Sequence, residues 1–197
     1  MNPFWPAQPQ IEMTNLTLKE TYISVDVETS GPYPGEYSLL AIGACVVDDP
    51  EKTFYVELKP VSDHATEEAI AIHGLSLVEL AERGLEPAEA MNRFEEWLTS
   101  QTPACQRPIF VGFNAAFDWM FVNDYFHRFL GYNPFGHAAL DIKSFYMGSA
   151  GVAWVETTMR YVSPRYLTHQ HLTHQALRDA LDQADIFNKM LAEARKK

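Results

Sequence analysis

At 197 residues, with 47% hydrophobic and 13% aromatic side chains, the chain carries enough apolar mass for one substantial core. Its net charge of −11 and pI of about 5.0 exclude a protein that coats duplex nucleic acid through a broad basic face. No apolar run approaches the roughly 18 residues of a membrane span, and no basic stretch with an apolar block marks a secretory signal.

Residues 1–19, beginning MNPFWPAQPQ, read as a Pro- and Gln-rich N-terminal arm, and residues 20–197 as a single domain. Three strands are predicted over residues 20 to 59. TYISVDVE alternates, YSLLAIGACVV is an apolar run, and KTFYVELKP alternates again, with SGPYPGE and DDPEK as turns. Such short connections give an antiparallel meander. Cys45 lies in the apolar run, far from Cys105, and reads as a core thiol rather than half of a disulfide; a reducing cytoplasm suits it.

TEEAIAIHG and SLVELAERG predict short helices that end on glycine. PAEAMNRFEEWL predicts a helix with Pro in its first turn and Ala90, Met91, Phe94, Trp97 and Leu98 on one face. RPIFVGFN predicts a buried strand, and AAFDWMFVNDYFHRFLG a helix with Phe117, Phe121, Tyr125 and Phe129 at helical spacing. HAALDIKSFY predicts a short strand running into a helix. Residues 150–172 show no clear pattern, and a final helix is predicted from about 174 to 196. A meander followed by alternating strands and helices describes an α/β domain with a mixed central sheet.

The chemistry lies in the carboxylates. Asp26 and Glu28 stand two apart at a strand end, so both project from one face. Like charges this close repel unless a cation joins them, although a polar strand end at the surface is the plainer reading. Asp118 opens the helix after Asn114 among apolar neighbours, where an acid also complements the helix dipole. In the last helix, Leu177, Ala180, Ala184, Phe187 and Leu191 define a core direction. Asp179 falls at its flank, while Asp182 and Asp185 are expected to face water. Four hard oxygen donors favour magnesium or manganese over zinc. Pairs of such ions suit in-line displacement at phosphorus, and a base is then wanted to take the proton of water.

These motifs resemble the DEDD exonucleases, which share a ribonuclease-H-like fold. The family's D-x-E-T stands here as Asp26, Glu28 and Thr29, followed by Ser30 and Gly31. Its N-x-x-F-D stands as Asn114, Phe117 and Asp118, and its H-x-A-x-x-D-A as HQALRDA with His174 and Asp179. IHGLS, Ile72 to Ser76, resembles the family's H-G-[IL] segment. The order and spacing agree across residues 21 to 190. His174, five positions before Asp179, points to the histidine branch, DEDDh; Phe113 stands where the family often has histidine.

The resemblance implies a metal-dependent 3′-to-5′ exonuclease that releases nucleoside 5′-monophosphates from single-stranded DNA or RNA or from short oligonucleotides. It implies two divalent cations, Mg²⁺ or Mn²⁺. Asp26, Glu28 and Asp179 hold one, and Asp118, with Asp26 bridging, holds the other. His174 is the implied general base, since imidazole titrates near neutrality. Thr29, Ser30, His73, Asn114 and Phe117 are the implied substrate contacts. His169 and His171 fall back to loop residues. Arg160, Arg165, Trp154 and Tyr161 either guide a strand by charge and stacking or serve as packing. A homodimer or association with a polymerase is compatible with the sequence, and no membrane is. The alternative is a non-catalytic nucleic-acid-binding or scaffold domain that keeps only the fold.

Overall fold

The computed structural model describes residues 19–168 and 174–196. Residues 1–18 of the expected arm, and His169 and His171, lie outside the described residues. The meander is β1 (Lys19–Thr29), β2 (Leu39–Val46) and β3 (Asp49–Glu57), paired antiparallel. β3 begins within the expected DDPEK turn. As an edge strand it accommodates Pro50, whose missing N–H would break a ladder only between two neighbours. Then follow α1 (Glu67–His73), α2 (Leu77–Arg83), α3 (Pro87–Gln101), β4 (Gln106–Gly112), α4 (Ala115–Leu130), β5 (Ala139–Asp141) and α5 (Ile142–Ala150). β4 and β5 add in parallel to the far side of β1, so the five-stranded sheet runs β3-β2-β1-β4-β5. The mixed ribonuclease-H-like sheet flanked by helices is the architecture the sequence predicts.

Local chemistry sets the helix ends. Thr66 and Ser76 accept backbone N–H groups at the starts of α1 and α2, and Gly74 and Gly131 close α1 and α4 in the left-handed region. The stretch without pattern holds a 3-10 turn at Trp154–Thr157 and α6 (Met159–Tyr166) before α7 (Ala176–Ala194). α6 has eight residues with Pro164 inside, too short and too interrupted to show a period. Val162, Ser163 and Tyr166 face inward, whereas Arg160 and Tyr161 are exposed. Arg165 pairs with Glu193 at 2.8 Å and lies over the Tyr166 ring, while the Lys143 ammonium sits 4.3 Å from the Trp154 ring centre.

The sheet is covered on both faces. α3 and α4 pack on Ile23, Val25, Val27, Ile42 and Val56, joined by an aromatic stack in which Phe94 lies 4.9 Å from Phe54 and 5.6 Å from Phe126. On the other face α5, α6 and α7 pack on Cys45 and Val111. Cys45 is a free, buried thiol, as expected; burial pushes its pKa up to about 12. Gly43 of β2 sits directly beneath the start of α7, where a Cβ would fall 2.1 Å from the Ala176 carbonyl carbon. The helix therefore approaches the strand backbone closely, and the Ser24 hydroxyl donates to the Ala180 carbonyl at 2.7 Å.

The orientation of α7 corrects the sequence reading. Its buried positions are Ala176, Asp179, Ala180, Asp182, Gln183, Ala184, Ile186, Phe187 and Met190. At 100° per residue they centre on Gln183, roughly 80° from the direction defined by the large apolar residues. Asp182, expected in water, is 8% exposed, whereas Asp185 is exposed as expected. α7 contacts α5 and α6 as well as the sheet, so its buried arc is wider than an apolar stripe reveals.

Candidate active site

The end of β1 places Asp26 and Glu28 on the face that α7 covers, in register with Gly43 and Ala41 of β2. α7 brings Asp179 beside them. One carboxylate oxygen from each of Asp26, Glu28 and Asp179 lies within 4.8 Å of the others. Asp118 enters from the first turn of α4 on the β4 side, accepting the Val27 N–H at 3.1 Å. Asp26, Glu28, Asp118, Asp179 and His174 all line one cavity of about 530 Å³. No Lys or Arg is among the described residues that line it.

Electrostatics follow from this crowding. Burial, then Asp118, Glu28 and Asp179, push the Asp26 carboxyl well above its ordinary range, while a hydrogen bond from Gln183 opposes the shift. Burial followed by Asp179 and Asp118 raises Glu28 to about 8. Burial raises Asp118 to about 7 against the N–H groups of Val27 and of Asp118 itself, with Asp141 adding to the rise. Buried acids without a counter-charge are held partly protonated, and a hard divalent cation with oxygen preference removes that cost. The donor set fits such an ion.

His174 occupies the loop immediately before α7, in the left-handed region at φ 52°, a conformation His tolerates more readily than most residues. Its backbone N–H donates to Asp179 Oδ2 at 3.0 Å, which ties the histidine to the carboxylate five positions on. The imidazole is exposed on the cavity wall.

The expected substrate contacts divide. Thr29, His73, Asn114 and Phe117 line the cavity. Asn114 takes a left-handed conformation at φ 67° to turn β4 sharply into α4. His73 is held as one neutral tautomer: Nδ1 accepts the Leu75 N–H at 3.0 Å, which leaves Nε2 to donate to the Thr29 carbonyl at 3.1 Å. The ring thus pins the end of α1 to the end of β1. Ser30 stands apart. Fully buried, its hydroxyl donates to the His64 carbonyl at 2.7 Å and accepts the Ser38 N–H at 2.8 Å, and it does not line the cavity.

Two residues escaped the sequence reading. Gln183, 1% exposed, donates from Nε2 to Asp26 Oδ1 at 2.6 Å and accepts the Phe113 N–H on Oε1 at 2.8 Å. Asp141 caps α5 through Ser144 at 2.7 Å and also accepts the Ala115 N–H at 2.9 Å, fixing the start of α4 three residues before Asp118. The Asp141 cap was legible in DIKS, where an acid precedes a helix by one residue. Its second bond was not, and nothing local distinguishes Gln183.

A mixed sheet with carboxylates gathered at a strand end, beside a cavity of about 530 Å³, is an arrangement suited to metal-assisted phosphodiester hydrolysis. The RNase T exonuclease family model matches residues 23–187, and the chain belongs to that family. It is 47% identical over 182 residues to the 3′-5′ DNA exonuclease Cap18 of Escherichia coli, covering 91% of this chain and 97% of the relative. Among solved structures, the nuclease domain of 3′hExo, a DEDDh family member bound to rAMP, superposes with a TM-score of 0.72 at 13% identity, over 88% of this chain and 92% of that one. Exonuclease I of E. coli in complex with a dT13 oligonucleotide gives 0.67 at 19% identity, over 90% of this chain and 42% of that one.

Proposed function

We propose that the protein is a metal-dependent 3′-to-5′ exonuclease that removes nucleoside 5′-monophosphates from single-stranded ends, with DNA as the first substrate to test, as the activity of its E. coli relative suggests. Residues 20–197 then act as one catalytic domain. The observation that carries this reading is the meeting of Asp26, Glu28 and Asp179 within 4.8 Å at a cavity that Asp118 and His174 also line.

Asp26, Glu28 and Asp179 would hold one divalent cation, Mg²⁺ or Mn²⁺, and Asp118 with Asp26 a second. When bound, such ions polarise the scissile phosphate and acidify the attacking water. Gln183 holds the Asp26 carboxylate in one orientation. The terminal nucleoside enters the cavity against Phe117 and the His73 ring, with Thr29 and Asn114 at its margin. His174 takes the proton of the attacking water as the new P–O bond forms. The bond from phosphorus to the O3′ of the preceding nucleotide breaks, and that oxygen takes a proton from solvent. The products are a nucleoside 5′-monophosphate and a strand one nucleotide shorter with a free 3′ hydroxyl.

Digestion of labelled ssDNA, ssRNA, duplex and dinucleotide substrates with Mn²⁺ tests this reading. Release of mononucleotides from the 3′ end is expected, and release from no single-stranded substrate overturns it. His174→Ala should lower turnover by on the order of 10² to 10⁴ with Mn²⁺ binding kept. An equal loss in His171→Ala would contradict the base assignment.

A further inference from the structure

A second cavity, of about 690 Å³, adjoins the first on the β3 side and shares Glu28, His73 and His174 with it. The two cavities therefore meet over the residues where the scissile phosphate is proposed to sit. Tyr55 of β3 forms one wall. It lies in register with Gly43, and through it with Asp26, so it stands on the same face of the sheet, roughly 10 Å from Asp26 by two strand spacings. Its ring is 46% exposed, and its hydroxyl donates to Glu57 at 2.8 Å. The facing wall is the first turns of α7, with Leu177, Arg178 and Leu181.

Charge separates the two cavities. The first has no lysine or arginine in its described lining; the second has Arg178. The Arg178 side chain is exposed and makes no ion pair among the described residues. A cation in the first turn of a helix opposes the helix dipole, so helix stability does not account for it. The acid beside Tyr55, Glu57, has Arg83 at 3.5 Å as its own partner. Beyond the scissile phosphate, a single strand carries phosphates on its 5′ side and none on its 3′-terminal nucleoside. The cavity with the free cation thus matches the upstream side, and the cavity without one matches the terminal nucleoside.

We infer that the second cavity binds the nucleotide immediately 5′ of the scissile bond, with Tyr55 stacking on its base and Arg178 pairing with its phosphate. The inference rests on the proposed exonuclease reading. Stacking of this kind tolerates any base, so the subsite grips the strand without selecting sequence.

The test is steady-state hydrolysis of a labelled hexanucleotide by Tyr55→Ala and Arg178→Ala across a salt series with Mn²⁺. Both side chains are exposed, so neither change endangers folding. Each variant should raise KM on the order of 10-fold while keeping kcat. Arg178→Ala should also flatten the dependence of log KM on log salt by about 0.7, the share of one lost phosphate contact on a single strand. Tyr55→Ala should leave that slope unchanged. Unaltered KM in either variant, equal losses in kcat, or an unchanged slope for Arg178→Ala overturns the subsite. If the unmodified protein releases no mononucleotide from the hexanucleotide, the exonuclease reading itself fails, which is a different result.

Discussion

Both faces of the sheet carry aromatic clusters, but they differ in how closely a helix approaches the strands. α3 and α4 stand off the strands on large rings, with Phe94 stacked between Phe54 and Phe126. α7 rests on Gly43 with Ala176 and Ala180 beneath it, close enough for Ser24 to reach a helix carbonyl. Rings bury much apolar area and tolerate small displacements. A backbone-to-backbone approach buries less, but it fixes a helix to within a fraction of an ångström. The carboxylate that must meet Asp26 and Glu28 from the far end of the chain, Asp179, is carried by the second kind of contact. The lesson is that the face bearing Asp179 adds a backbone-to-backbone contact, at Gly43, that the other face is not seen to use among the described residues.

That contrast can be broken from either side. Phe94→Ala should cost about 3–5 kcal/mol and lower the melting temperature by roughly 10 °C, seen by calorimetry, while turnover per folded molecule is kept. Loss of turnover at a temperature where the variant is still folded would blur the distinction. Gly43→Ala should do the reverse. Its methyl group forces the start of α7 away from β2, displacing Asp179 and His174, with a fall in kcat on the order of 10² and a smaller loss of stability.

The acids sharpen the comparison through pH. Asp26, Glu28 and Asp118 are all raised above their ordinary values when folded, Glu28 to about 8 and Asp118 to about 7. The folded protein without metal then binds more protons than the unfolded chain across the interval between the two sets of values. Stability falls as pH rises through that interval. In EDTA the melting temperature should decline between about pH 5 and pH 8, and excess Mn²⁺ should restore more at the upper end than at the lower. A flat profile in EDTA would mean that the carboxylates are compensated without a cation. The smallest effect belongs to Asp185→Ala, which removes only an exposed pair with Lys189 and should shift stability by a few tenths of a kcal/mol. Asp182→Ala, at a buried position, should cost measurably more in the same melts.

Much of this was legible in the sequence, for identifiable reasons. Alternation in TYISVDVE and the ring spacing of α4 each report a local period. The D-x-E, N-x-x-F-D and H-x-A-x-x-D sets report residue types at fixed offsets, and the structure gathers all of them at one cavity. What was not legible depends on partners distant in the chain. The buried face of α7 differs from its apolar stripe because Asp179, Asp182 and Gln183 occupy buried positions that the stripe leaves out. Nothing in YSLLAIGACVV signals that Gly43 lies against the backbone of Ala176. The resemblance implies Ser30 as a substrate contact, and its hydroxyl is bonded to His64 and Ser38. Each of these is a question about which atom lies opposite, and composition cannot answer it.

The bond from Gln183 to Asp26 spans 157 positions, and that separation has a consequence for how the protein comes into being. During synthesis β1 to β3, and then α4, emerge and can fold while α7 is still untranslated. Until then, neither Asp179 nor His174 exists to complete the constellation. If the proposed roles hold, a fragment that ends before His174 keeps the D-x-E pair and Asp118 but not the remaining ligand and the base, and should release no mononucleotide. On the proposed assignment, catalysis awaits the synthesis of α7.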